Sequence, residues 1–472
     1  MQTRLLFLLA TAIGIVLAHA APQKPNILWI YTEDLSPWIG CYGDKVNAKH
    51  TPHIDALAAR GTLLERCYTP APVCSATRSA LITGAMQTTS GTHNHRSSRS
   101  PDAYINLPKG WKTLPEIMRD NGYATMNRGK DDYNFHYNRS TLYTIGSTEA
   151  GNKRIAKPGG GKLADLPKDK PFFAQIQLRG GKSNPKAAPS KVDPTTLTVP
   201  GYYPNTPIFK QIWANHYNTV RVTDNDVKKV LDELEATGRA DNTIVFFFSD
   251  HGNNLSVRHK QFCYEGGVHV PCIIAGPGIP QAKRRSDLVN ALDLSATTLA
   301  LANIPQPTWF EGQNLFAPNF SPRKFVISAR DRCDFTIDVT RTVRTESFRY
   351  LRNYKTDRIF LQPQYRDGKG VVKELHKMHK EGSLDPKIDH IYFGPRPAHE
   401  LYDLNNDPHE LNNLAEDPNY ADVLLQHIAI LEQWQKETGD KGMQPEPEAS
   451  LKAIYKRWKK RCVNPEFDAF KN

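Results

Sequence analysis

Cysteine is scarce: the 472-residue chain has seven, at positions 41, 67, 74, 263, 272, 333 and 462. So few exclude a disulfide-built scaffold, and their irregular spacing excludes a zinc pattern. If Cys74 is consumed chemically, six remain, and pairing among them stays open. Beyond the N-terminus no apolar run is long enough to cross a bilayer, so stable membrane insertion is not expected. There is no internal repeat and no nucleic-acid-binding motif. The formal charge of +12 is scattered along the chain. That argues against nucleic acid and suits either an anionic polymer, sulfated or uronic, or plain solubility.

The length allows a large core and predicts one big domain with a smaller one. Arg4, the apolar run Leu5 to Leu17 and the small residues Ala18-His19-Ala20 read as a secretory signal peptide over residues 1–20. The expected mature chain starts near Ala21 and is secreted or periplasmic. Asn26 to Thr32 is an almost unbroken apolar run of strand length, the mark of a strand buried on both faces in a largely parallel sheet. It ends in Glu33-Asp34, where open α/β sheets place their sites.

Thr51-Pro52, Ile54, Leu57 and Ala58, closed by Gly61, predict a capped helix. Thr113-Leu114-Pro115-Glu116 opens another through a capping box. Tyr123 to Met126 then predicts a short strand that delivers Gly129-Lys130-Asp131-Asp132. Phe172 to Leu178 and Thr243 to Phe248 read as strands, with a helix between them from Tyr217 to Leu234. Alternation of this kind defines an α/β class with a mostly parallel sheet flanked by helices. From Val343 the texture becomes short alternating segments followed by an amphipathic helix near Tyr420 to Glu437. The expected domains are 21–342, catalytic, and 343–472, an antiparallel sheet with a helix; the basic stretch Leu451 to Arg461 reads as a solvated helix.

Cys74-Ser75-Ala76-Thr77-Arg78, continued by Ser79 to Gly84, reads as a loop entering a helix, with Cys74 near free N–H groups that favour anions. Composition alone also permits a buried apolar cysteine. The strand from Thr243 runs into Ser249-Asp250-His251-Gly252, a second strand end carrying an acid beside a histidine. As a whole the pattern resembles the type I, formylglycine-dependent sulfatases of the alkaline phosphatase superfamily. It carries the Cys-x-Ala-x-Arg variant with a later Thr-Gly, a Gly129-Lys130 pair, and Lys260 before Tyr264-Glu265-Gly266-Gly267. The closing run Glu400-Leu401-Tyr402-Asp403-Leu404 also matches and reads as structural.

The resemblance implies an alkaline-phosphatase-like core and a formylglycine made from Cys74 by a maturation enzyme, with its hydrate as nucleophile. It implies one divalent cation held by Glu33, Asp34, Asp250, His251 and the oxygen at position 74. Such an oxygen-rich, irregular cage favours Ca²⁺ over Mg²⁺. Arg78 would fix the nucleophile through its fork of donors, and Lys130 and Lys260 would balance charge on the sulfate oxygens. The chain departs from the family at Ala76 for proline, Glu33 for aspartate and His251 for asparagine. It also has Asp131-Asp132 where Trp-His is usual, and Lys182 where a histidine is usual. The leaving-group acid is therefore open among Lys182, first by position, His93 and His95, with Asp132 as an orienting group. His251 could alternatively bond the sulfate without binding metal.

For the substrate, Arg330, Asp331 and Arg332 mix bidentate donors with acceptors suited to sugar hydroxyls or a carboxylate, or form a surface ion-pair cluster. His93-Asn94-His95 reads as a sugar-binding edge or an exposed turn. The expected protein is a Ca²⁺-dependent sulfatase of a sulfated carbohydrate. A phosphatase or phosphonate hydrolase on the same fold, and a glycan-binding relative with unmodified Cys74, are the alternatives.

Overall fold

The computed structural model describes residues 24–97, 100–145 and 160–471; the expected signal peptide lies outside them. Among the described residues, twelve strands form two sheets. The large sheet contains β1 (Asn26–Thr32), β2 (Gly61–Tyr68), β3 (Ala124–Arg128), β4 (Phe172–Leu178), β5 (Thr243–Ser249), β6 (His269–Val270), β7 (Cys272–Ala275) and β8 (Lys283–Asn290). Its order is β3-β4-β1-β5-β7-β2-β6, with β8 also paired to β2. The four strands from β3 to β5 are parallel, as is the β2–β8 pair, while β7 runs against both its neighbours.

β1 is buried along its whole length because it must feed two cores. Ile27, Trp29 and Tyr31 face one side with Phe173, Phe246 and Phe248, and Leu28 and Ile30 face the other with Phe247 and Ile176. Helices cover both faces: Cys74–Thr83, Leu114–Asp120 and Leu292–Leu301 on the first, Pro52–Ala59 and the long Pro207–Ala236 on the second. The capping box at Thr113 forms as expected, with Glu116 accepting from the Thr113 N–H at 2.8 Å and its hydroxyl at 2.7 Å.

The smaller sheet is antiparallel, β12-β11-β10-β9, from β9 (Val326–Arg330), β10 (Thr340–Arg344), β11 (Phe348–Asn353) and β12 (His399–Asp403). Helix Ala421–Thr438 packs Leu431 against Val343, Tyr350 and Leu401. This sheet starts at β9, and position 342/343 falls within β10. β9 is also fastened to the loop before Cys74, through Ala329 N–H to the Pro70 carbonyl at 2.9 Å and Ser328 Oγ to the Thr69 carbonyl at 2.6 Å. The C-terminal basic helix forms at Glu448–Trp458, but it is not merely solvated: Ile454, with Cys462 and Phe467, packs on Phe335 and Ile337. All seven cysteines are free.

Candidate active site

Strand register assembles the site. Thr32 of β1 lies opposite Ser249 of β5 and Leu178 of β4, and Ile176 of β4 lies opposite Arg128 of β3. Four adjacent parallel strands therefore end at one edge, and the residues that follow them (Lys130, Lys182, Glu33-Asp34 and Asp250-His251) emerge side by side. The turn after β4 is glycine for a packing reason. A Cβ on Gly181 would sit 2.0 Å from the Asp34 carbonyl oxygen, so this backbone can close on the acids only without a side chain.

Cys74 opens a wholly buried helix, Cys74–Thr83, whose start points at the same edge. Its Sγ lies 3.1 Å from His251 Nε2, 3.2 Å from Lys260 Nζ and 4.0 Å from Asp34 Oδ1. Ligand atoms of Asp34, Cys74, Asp250 and His251 all fall within 4.8 Å of one another. Asp34 stands in left-handed backbone, φ 55°, while its N–H donates to Asp250 Oδ1 at 2.9 Å, so the two acids are held by main chain as well as by charge.

Cations surround this cluster. Lys260 Nζ donates to Asp34 Oδ1 at 2.9 Å. Lys130 Nζ lies 3.3 Å from Glu33 Oε1 and 2.9 Å from Asp132 Oδ2. Lys182, the most exposed of the three, pairs with Glu33 and lies 3.4 Å from Asp34 Oδ2. Arg78 is buried and spans the rest: Nε and Nη2 reach Asp250 Oδ2 at 3.1 and 3.0 Å, and Nη1 donates to Gln177 Oε1 at 2.7 Å and to the Lys130 carbonyl at 3.1 Å. Its guanidinium also stacks on the Tyr31 ring, 4.5 Å away.

The charges set one another's protonation. Burial opposes ionisation of Cys74, yet Lys130, Lys260 and Lys182 together bring its thiol down to about 6. Burial likewise opposes charge on Asp250 and Asp34. His251 and Arg78 lower Asp250 to about 2, and Lys182 and Lys260 hold Asp34 well below the usual carboxylate range. For Lys182 burial favours the neutral amine, but Asp34 and Glu33 raise its pKa, so it keeps its proton at neutrality.

Glu33 stands one step outside the four-residue cluster, its carboxylate taken up by Lys130, Lys182 and Arg78. Asp132 bridges Lys130 to Arg96, 3.9 Å from the Arg96 Nε. The substrate-binding expectation for Arg330, Asp331 and Arg332 is corrected, because all three are buried and engaged internally. Arg330 pairs with Asp338 at 3.0 Å, Asp331 with Arg341 at 2.9 Å, and Arg332 with Glu446 at 2.5 Å. Alternating charges in that run satisfy a buried junction between β9, β10 and the C-terminal tail. His95 is buried too. Burial, aided by Arg96, depresses it to about 3, so it stays neutral and is no proton donor. His93 is nearly buried.

Several groups at the site have no motif to announce them. Gln177, the polar residue one place before the end of β4, anchors Arg78. Asn254 donates to Asp34 Oδ2. Arg96, Asp334 and Tyr365 line the flank beside Cys74. Gln175 and Gln177 interrupt an apolar strand, and that interruption is the sequence signal available.

A family model described as Sulfatase matches residues 25–304, which include every strand of the large sheet and Cys74. An ulvan-active sulfatase from Formosa agariphila is 29% identical over 480 residues, spanning 94% of this chain and 79% of the relative. Among solved structures, a 2-O GAG sulfatase superposes with a TM-score of 0.64 at 22% identity, covering 89% of this chain and 93% of that one. A phosphonate monoester hydrolase from Silicibacter pomeroyi gives 0.62 at 17% identity, covering 89% and 97%. At those identities the structural likeness is one of fold, shared by sulfate and phosphonate ester chemistry alike. The family model covers more than half of the sequence and contains the whole strand-edge cluster, and on that ground the chain belongs to the sulfatase family, enzymes that hydrolyse sulfate esters.

Proposed function

We propose that the protein is an exported, Ca²⁺-dependent sulfatase of the formylglycine class that acts on a sulfated carbohydrate. The observation that carries this reading is the convergence of Lys130, Lys182 and Lys260 on Cys74, beside Asp34, Asp250 and His251. The ulvan-active relative supports a sulfated polysaccharide as substrate class. Export rests on the N-terminal composition, with its charged start, apolar run and small residues.

Two ionised carboxylates and an imidazole within one small buried cluster suit a divalent cation, and an oxygen at position 74 would complete a set that favours hard ions. Asp34, Asp250 and His251 would hold that ion together with the oxygen at position 74, with Glu33 beside them; when bound it supplies Lewis acidity and a template. Formylglycine at position 74, once formed, supplies a hydrated aldehyde with one oxygen for attack on sulfur and a second hydroxyl for release of sulfate. The other residues position and neutralise. Arg78 keeps Asp250 and the Lys130 main chain in register. Lys130 and Lys260 face the sulfate oxygens, where charge must be balanced as the S–O bond breaks. Lys182 stands at the rim and supplies a proton to the leaving oxygen as that oxygen becomes basic.

Turnover of an aryl sulfate against the matching aryl phosphate, with and without a chelator, tests the reading. Sulfate hydrolysis should dominate, stop on chelation and return with Ca²⁺. A phosphate preference would move the protein to the phosphatase side of the superfamily.

A further inference from the structure

The flank beside Cys74 is built from charged residues that almost meet. Arg96 donates its main-chain N–H to the hydroxyl of Ser75 at 3.3 Å, which places it next to the nucleophile position. Its guanidinium lies 3.7 Å from Asp334 Oδ1 and 3.9 Å from Asp132 Oδ1, distances too long for hydrogen bonds. Arg96 Nε and His95 Nε2 are buried with no hydrogen-bond partner, and Asp334 Oδ2 has only the long contact to His95 Nδ1 at 3.5 Å. Unsatisfied buried polar groups are uncommon and call for a specific explanation. Arg96, Asp132 and Asp334 also hold left-handed backbone, φ 64°, 54° and 51°, although none is glycine. Strain of this kind persists where surrounding structure enforces it, often at ligand sites. The Tyr365 ring lies over His95, centroids 6.5 Å apart and planes 28° apart, and closes the far side.

We propose that Arg96 and Asp334 form a sugar subsite that recognises free hydroxyl groups next to the sulfated position, and that rejects a second anion there. This rests on the sulfatase reading and specifies its substrate. A hydroxyl group both donates and accepts, so one that bridges guanidinium and carboxylate satisfies both at once. A carboxylate or second sulfate can only accept. It would meet Asp334 in repulsion, while the charge of Arg96 is already flanked by two carboxylates. Asp132 joins this wall to the sulfate-binding cations through Lys130, so the subsite lies one side chain away from the sulfur position. The substrate class is thus a monosulfated pyranose unit whose neighbouring positions are unmodified.

The test compares kcat/KM on 4-nitrophenyl sulfate and on three versions of one sulfated monosaccharide: neighbouring hydroxyl intact, deoxygenated, or itself sulfated. The matured wild-type enzyme should favour the intact sugar over both analogues by about 10²-fold or more, because a site built to bond a hydroxyl discriminates strongly against its loss. Arg96→Ala should lower the sugar-to-aryl selectivity ratio by about 10-fold or more. Asp334→Asn should shift preference towards the doubly sulfated sugar, a change that mere loss of fold cannot produce. Equal turnover of the three sugars, or faster turnover of the doubly sulfated one by wild-type enzyme, would overturn the subsite while leaving sulfatase activity in place. No turnover of any sulfate ester would instead remove the sulfatase reading on which the subsite depends.

Discussion

Replacing Arg78 by lysine keeps the positive charge and deletes the fork. The guanidinium donates from Nε to Asp250 Oδ2 at 3.1 Å, with Nη2 in ion-pair contact at 3.0 Å, and from Nη1 to Gln177 Oε1 and the Lys130 carbonyl at 2.7 and 3.1 Å. One ammonium cannot reach both sides, so either Asp250 or the pair on Nη1 loses its donor. A buried acceptor left unmatched costs about 1–3 kcal/mol, and two of them put Arg78→Lys at about 2–6 kcal/mol less stable. Arg78→Ala strands the fully buried Asp250 and should cost about 3–5 kcal/mol. Urea unfolding with a constant slope reads both values. Arg78→Lys should also lose about 10²-fold in kcat, since freeing the Lys130 main chain misplaces the lysine proposed to face the sulfate. An Arg78→Lys enzyme within about 0.5 kcal/mol of the parent, with the parental kcat, would refute this account of the fork.

Cys74→Ser supplies one hydroxyl in place of a hydrated aldehyde; given an aryl sulfate it should release a single equivalent of phenol and accumulate a sulfated protein, detectable by intact mass, whereas sustained turnover would contradict the release step. Gly252 lies so close to the next loop that a Cβ would stand 1.7 Å from the Gly266 carbonyl oxygen. Gly252→Ala should therefore cost about 1–3 kcal/mol, and an unchanged melting temperature would show that the His251 turn is looser than described. His95 has a folded pKa of about 3 against an ordinary 6.5. Between those values the unfolded chain binds more protons, so stability rises with pH across this window, by about 1.4 kcal/mol per unit from this residue, and is flat above it. His95→Asn should flatten that slope in urea unfolding between pH 4 and pH 6, and an identical slope would place the histidine in water.

The parallel core was legible because β1 and β5 are almost unbroken apolar runs, as strands buried on both faces are, and β4 is apolar apart from Gln175 and Gln177. The acids and lysines that follow them were legible for the same reason, as polar residues directly after such strands. β2 and β7 left weaker traces. Gly61 closes one helix and starts β2 without a turn, and β7 is four residues long. The fate of Arg330 and Arg332 was not readable, because a buried ion pair and a ligand-binding arginine have the same local sequence. What separates them is the partner, Asp338 or Glu446, which arrives from far along the chain. Arg96 was missed for the converse reason, since its approach to Asp334 depends on loop geometry that no periodicity encodes.

The most direct test concerns the side chain at position 74 in enzyme produced alongside a formylglycine-generating partner. Mass spectrometry of the peptide carrying it, set against sulfate released by the same preparations, should show activity rising in proportion to the fraction converted to formylglycine. Full activity from preparations in which that residue is still a thiol would contradict the account.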